Sequence, residues 1–206
     1  FTPGRQRGPI SHIRANDSGE GFAEIEVVVG AARNKGLYKR HGYRLYKGAR
    51  GLVVTTTFRN ESKSVRKISL DDYWKPSGKS GTFNNIRWID AVDPADHGSY
   101  AVGWLDWEGP GSPLIKRPSA PDLKSGESRS FTRFIAVGNS PAEAYGNVIA
   151  FTNVEQSTLE VVLKEDGGGS AVGSATMAIT SGSQSIPAYP SEKGHLAVSL
   201  PQGEYA

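Results

Sequence analysis

The stretch that decides the fold is GLYKRHGYRLYKGARGLVVTTTFRNES, residues 36–62. Its second half, RGLVVTTTFRN (50–60), is rich in β-branched residues and stops at Asn-Glu-Ser, a turn signal, so it predicts a strand. Its first half interleaves Lys39, Arg40 and Arg44 with Tyr38, Gly42, Tyr43 and Leu45. Successive side chains of a strand point to opposite faces, and this alternation predicts strands with solvated outer faces. The basic-aromatic run from Tyr38 to Arg44 has two readings. Its Arg side chains suit an anionic glycan or a phosphate. Equally, cationic edge residues on a hairpin discourage sheet-to-sheet aggregation.

The same texture extends outward. FAEIEVVVGA (22–31) sets Phe22, Ile25, Val27 and Val29 among polar neighbours at close to period two. SVRKISLDDYW (64–74) predicts a strand carrying Val65, Ile68 and Leu70, and NIRWIDAV (85–92) and SYAVGWLDWEG (99–109) look alike. SGESRSFTRFIAVGN (125–139) turns at Ser125-Gly126, then runs through Phe131, Arg133, Phe134 and Ile135 into an apolar end. Strands at this spacing, broken by Gly, Pro, Asn and Ser, predict an all-β fold: a large antiparallel β-sandwich. One helix is predicted, over 141–151. Ser140 is a natural N-cap, Pro141 fits the first helical position, and Glu143 completes a capping box. Ala144, Val148 and Phe151 then share a buried face, while Gly146 weakens the middle.

After the connector TNVEQS (152–157) the texture changes to Gly- and Ser-studded sequence almost without large aromatic residues. Strands are expected over 158–164 and 175–180, with turns at 166–170 and 191–194. A domain of residues 1–157 followed by a smaller β module, 158–206, is the organisation these cues predict.

Composition bounds the function. With 206 residues there is room for a sizeable core. The 24 Lys and Arg are scattered among 21 acids for a formal net charge of +3, with no dense basic run, so no nucleic-acid partner is expected. The absence of cysteine excludes a disulfide scaffold and a Cys-ligated zinc site. No apolar run approaches the ~20 residues that span a bilayer. The chain begins FTPGRQRG and ends LPQGEYA. Both ends read as cuts in a longer polypeptide, an expectation that leaves room for a signal peptide upstream.

The tail segments LEVVLKEDGGGSAVGSATMAI (159–179), SEKGHLAVSL (191–200) and LPQGEY (200–205) resemble the carboxypeptidase-regulatory-like, or prealbumin-like, β-sandwich module. Here Pro201 and Gly203 would make a tight turn, with Tyr205 starting the next strand and its ring over the core. The resemblance implies either a module truncated at residue 206 or a tail packed as an extra part of the first domain. Earlier, the strand ending TTxxN within 36–62 and LKSGESRSFTRFIAVG (123–138) resemble the galactose-mutarotase-like β-supersandwich. Such domains lie beside metal-dependent hydrolase domains of the polymerase-and-histidinol-phosphatase type in bacterial exported proteins. That class binds metal through clustered His and Asp, often from a His-x-His pair. His12, His41, His97 and His195 form no such pair, so neither a metal nor another cofactor is expected in this chain.

Candidate sites follow from local chemistry. In LDDYWKPSGKSGTFNNIRWIDAVD (70–93), Asp72 and Trp74 suit a sugar: the carboxylate takes hydroxyl hydrogen bonds and the indole stacks on the ring. The alternative is an ordinary exit turn over Lys75-Pro76-Ser77-Gly78, with Trp74 covering the sandwich edge and a turn-rich loop (75–85) held between Trp74 and Trp88. Asp71 and Asp72 face opposite ways on a strand and so do not form an acid/base pair. In VDPADHGSYAVGWLDWEG (92–109), His97, Trp104, Asp106 and Trp107 hold the ingredients of acid/base chemistry near a stacking wall, with Trp104 and Asp106 on one strand face.

Taken together, the sequence predicts a non-catalytic accessory or carbohydrate-binding β-sandwich region of a larger exported (periplasmic or secreted) bacterial protein. Its ligand contacts would be Asp72, Trp74, Trp88, Trp104 and Arg44, and its partners a carbohydrate and the catalytic remainder of its own polypeptide. The competing readings are an aldose-epimerase-like enzyme using Asp72, His97 and Asp106, and a structural protein-interaction module.

Overall fold

β-Branched and aromatic residues at period two place one row of side chains against the core and the other toward solvent, and the chain obeys that rule along most of its length. The computed structural model describes residues 10–17, 21–29, 36–70, 78–90, 98–167 and 169–206. In chain order the strands are β1 (Ile10–Asp17), β2 (Phe22–Val29), β3 (Leu37–Tyr46), β4 (Gly51–Asn60), β5 (Arg66–Lys67), β6 (Ser80–Phe83), β7 (Ile86–Asp90) and β8 (Ser99–Leu105). There follow β9 (Leu114–Ile115), β10 (Asp122–Leu123), β11 (Ser128–Gly138), the helix α1 (Pro141–Phe151), β12 (Gln156–Val162), β13 (Met177–Ser181), β14 (Gln184–Ala188) and β15 (His195–Pro201). The fold is all-β: a large antiparallel β-sandwich with one short helix and a small C-terminal β module. The nine-stranded sheet has the order β1-β2-β3-β4-β11-β8-β7-β6, with β9 paired to β8. The ladders β10–β5, β12–β15 and β13–β14 are separate.

Two compact units emerge from the contacts. Unit 1 comprises Phe1–Lys75, Trp104–Gly109 and Ile115–Phe134; unit 2 comprises Pro76–Gly103, Pro110–Leu114 and Ile135–Ala206.

In unit 1 the register of β2, β3 and β4 lines up Val29, Lys39 and Phe58, then Val27, His41 and Thr56, then Ile25, Tyr43 and Val54 on one face. The other face carries Glu24, Arg44 and Val53, then Glu26, Gly42 and Thr55. Leu37, Phe58, Ile68, Leu70, Trp104 and Leu123 form the apolar core, with Ile115 and Phe131 packed against it. Of the strand expected over 64–74, the described part, 64–70, pairs only at Arg66–Lys67, and Val65 is exposed. The cause is Asn60, a fully buried residue at the end of β4. Its amide donates to the carbonyls of Ser64 (2.8 Å) and Leu123 (2.9 Å) and accepts from the Ser62 N–H (3.0 Å) and hydroxyl (2.7 Å). This pins a turn where a longer strand would begin.

In unit 2, Asn84 (φ 46°) and Asn85 (φ 66°) make a two-residue hairpin between β6 and β7, a left-handed conformation that Asn tolerates. The turn-rich loop expected over 75–85 therefore contains a strand. Helix α1 has the predicted bounds, and Ser140 Oγ accepts from the Glu143 N–H at 3.1 Å. Glu143 reaches back one residue further than a capping box requires, accepting from the Asn139 N–H at 2.9 Å. Ala144, Val148 and Phe151 are all buried. Gly146 has a reason that propensity does not disclose: a Cβ there would stand 2.9 Å from the Ser199 nitrogen of β15. Leu196, Val198 and Leu200 of β15 are buried, and α1 packs on β14 and β15. Tyr205 follows the turn at Pro201 and Gly203. It is half-buried and donates to the Pro201 carbonyl at 2.9 Å, closing its own turn, while Ala206 pairs with Thr180 of β13 through both backbone groups.

Candidate functional site

The most chemically loaded surface of unit 1 is the inward face of β3, β4 and β11. Strand alternation that sends Arg40 and Arg44 to one side sends Lys39 and His41 to the other. Lys39 is 2 % exposed, His41 4 % and Arg133 2 %, a density of basic groups that β-sheet interiors rarely carry. Aromatic faces offset part of the desolvation cost. The Lys39 ammonium lies 5.1 Å from the Phe58 ring centroid, and the Arg133 guanidinium lies 5.5 Å from that of Trp104. The Thr56 hydroxyl joins the cluster. It accepts from Arg133 Nη1 at 3.2 Å and sits 3.0 Å from His41 Nδ1. The hydroxyl keeps both a proton and a second lone pair for this contact, so either tautomer of the imidazole satisfies it. Burial, then the charges of Lys39 and Arg133, push the His41 pKa down from 6.5 to about 3, so the ring is neutral at physiological pH.

Lys39, Thr56 and Arg133, but not His41, border a cavity of about 10 Å³, enough for one water-sized oxygen. Lys39, Thr56 and Arg133 provide polar lining, and Phe58, Leu70 and Trp104 provide apolar wall. Ser69, itself exposed, brings the cavity to the surface.

The residues expected from sequence are distributed as follows. Asp72, Trp74 and His97 lie outside the described residues. Trp104 lines the cavity. Asp106 and Trp107 fall beyond the end of β8 and are exposed, so the expected shared strand face of Trp104 and Asp106 does not form; the strand gives way there to the turn around Gly109 and Gly111. Arg44 lies on the opposite face of β3, with Nε 3.3 Å from Glu24 and Nη1 paired to Glu108. Its guanidinium also lies over Phe22, 5.1 Å from the centroid. Burial opposes its charge, but Glu108 and Glu24 outweigh that and raise its pKa. Trp88, in unit 2, is buried with its indole across Gly81, where a Cβ would come within 2.6 Å of the ring, and its Nε1 has no hydrogen-bond partner among the described residues. Among the described residues no three His, Asp or Glu side chains come together as a metal site.

Lys39, Thr56 and Arg133 were not anticipated as site residues. A readable sign existed for Arg133, a cation inside the otherwise apolar run FIAV and its neighbours. Within the basic-aromatic stretch the sequence drew attention to Arg side chains, but Arg40 is an exposed partner of Glu26. The inward residues are Lys39 and His41, which flank Arg40.

A second polar cluster belongs to unit 2. The Tyr189 hydroxyl donates to Asp90 Oδ2 at 2.5 Å, and the Ser99 hydroxyl donates to Oδ1 at 3.0 Å. Burial, reinforced by the Asp90 carboxylate, raises the Tyr189 pKa to about 12. The arrangement holds β7 and β8 to the segment after β14 and leaves the carboxylate occupied, a structural role.

No family model matches the chain, and no curated protein matches it. Among solved structures it is similar to the GH36 alpha-galactosidase AgaB from Geobacillus stearothermophilus, with a TM-score of 0.38 and 11% sequence identity. The alignment covers 71% of this chain and 28% of that one. The chain thus spans little more than a quarter of that enzyme's length.

Proposed function

We propose that this chain is a non-catalytic accessory β region of a larger exported protein, and that it holds a carbohydrate at the inward face of β3, β4 and β11. The observation that carries this reading is the composition of one cavity: the Trp104 indole beside the Arg133 guanidinium, the Lys39 ammonium and the Thr56 hydroxyl. Sugar sites combine an aromatic wall with a few polar groups that fix orientation. The segment immediately following Leu70 in sequence carries Asp72 and Trp74, residue types of the same kind. His41, with its pKa depressed to about 3, is unprotonated near neutrality and does not serve as a general acid there. Catalysis would then belong to the remainder of the polypeptide, a metal-dependent hydrolase in this reading.

The test is intrinsic tryptophan fluorescence against a broad panel of neutral and acidic oligosaccharides. Saturable quenching by a member of the panel, lost in Trp104→Phe with the fold intact by circular dichroism, is the expected result. A flat response across the whole panel removes the proposal.

A further inference from the structure

We propose that the group this cavity receives is an oxyanion, so that the ligand is an acidic sugar carrying a carboxylate. The inference rests on the carbohydrate reading above and narrows it. Its physical basis is which groups converge. Lys39 and Arg133 are each 2 % exposed and line the same cavity as the Thr56 hydroxyl. Both cations have further interaction partners in the fold; what marks the site is their convergence with a hydroxyl and an indole on one small cavity that opens beside Ser69.

Size narrows the choice. About 10 Å³ admits one oxygen atom and excludes a pyranose ring, so a ligand must present a projecting group and leave its ring outside, near Ser69. A carboxylate oxygen and a neutral hydroxyl both have that size, and charge decides between them. An anion entering beside a guanidinium and an ammonium in a low-dielectric pocket gains charge-assisted hydrogen bonds roughly twice as strong as neutral ones. The same positive field is registered at His41, where Lys39 and Arg133 add to burial in disfavouring a further proton. A neutral hydroxyl gains much less from that field. A cationic sugar is repelled by it.

The experiment uses the chain as it stands and follows the Trp104 indole N–H resonance, assigned through Trp104→Phe. The probes are a trigalacturonate, its fully methyl-esterified neutral counterpart, and inorganic sulfate. The trigalacturonate is expected to shift the Trp104 resonance saturably, with affinity at least tenfold above the ester, and Lys39→Met is expected to remove most of that difference while Lys39→Arg retains it. Equal binding of acid and ester overturns the inference and leaves the carbohydrate reading standing. Saturable binding of sulfate without either saccharide upholds an oxyanion site and sinks the carbohydrate reading. No shift with any probe sinks both. The acid–ester comparison on the unmodified chain needs no variant, so the inference stays open to refutation even where a substitution at buried Lys39 fails to fold.

Discussion

At His41 the cost of burying a charge sets how the fold responds to acid. Its folded pKa of about 3 lies below the ordinary value of 6.5. Above pH 6.5 the ring is neutral in both folded and unfolded chains and exerts no pH dependence. Below that value the unfolded chain takes up a proton that the folded chain refuses, so stability falls by about 1.4 kcal/mol per pH unit until the folded pKa is reached. By pH 5 this amounts to about 2 kcal/mol. Thermal melts of wild type and His41→Gln between pH 7 and pH 4 isolate the effect from that of the carboxylates. The wild-type melting temperature should fall more steeply with acid, and parallel curves would refute the assignment. At this scale the sequence was partly legible. Trp104 was identifiable as an aromatic worth noting, and it does line the cavity. Lys39 and His41 were not distinguished from Arg40 and Arg44, because alternation says that neighbours face opposite ways without saying which face is inside. That choice is made by the partners Phe58, Ile68, Leu70 and Leu123, which come from distant parts of the chain.

Helix α1 shows what was legible at the level of elements and what was not. Ser140, Pro141 and Glu143 are local signals, and the observed helix, Pro141–Phe151, begins and ends where they predict. Gly146 read as a weakness because propensity counts only the helix's own backbone. In the fold it is the point where β15 approaches most closely, and a methyl group would stand 2.9 Å from the Ser199 nitrogen and 3.2 Å from its carbonyl oxygen. Both obstacles are backbone atoms, which cannot swing aside as a flexible side chain would. Intrinsic propensity alone predicts that Gly146→Ala stabilises by up to about 1 kcal/mol. The close approach reverses the sign, and we expect a loss on the order of 1–3 kcal/mol from overpacking. Urea denaturation of the variant decides between them, and an unchanged or higher midpoint refutes the packing argument. The short pairing within 64–70 has a similar origin. Ile68 and Leu70 keep period two, but the Asn60 side chain reaches over the residues after β4 and fixes a turn there. Only the fold places the Leu123 carbonyl where that amide can use it.

Across the whole molecule, strand order was the least legible property. The hairpin β3–β4 lies within one contiguous stretch of sequence, whereas β4 lies beside β11 in the sheet after an intervening stretch of chain that contains several other strands. The contact between Thr55 and Thr132 hydroxyls, 3.1 Å apart, is of this long-range kind. The same difficulty surrounds residue 157, where a change of texture marked a boundary between two modules. Contacts within unit 2 join residues on both sides of it. Leu196, Val198 and Leu200 of β15 are buried, α1 packs on β14 and β15, and Gly146 is shaped to admit the β15 backbone. A chain ending at residue 157 would therefore uncover the apolar residues of α1 that β14 and β15 cover around Gly146. Burial of such residues contributes about 1.5–3 kcal/mol each, and a marginally stable β region has little to spare. The truncated chain should show a lower melting temperature, weaker near-ultraviolet circular dichroism and increased binding of a hydrophobic dye relative to residues 1–206. A truncated chain that melts cooperatively at the original temperature without binding dye would instead make 158–206 an independent module, and would assign the packing of α1 to elements before residue 157.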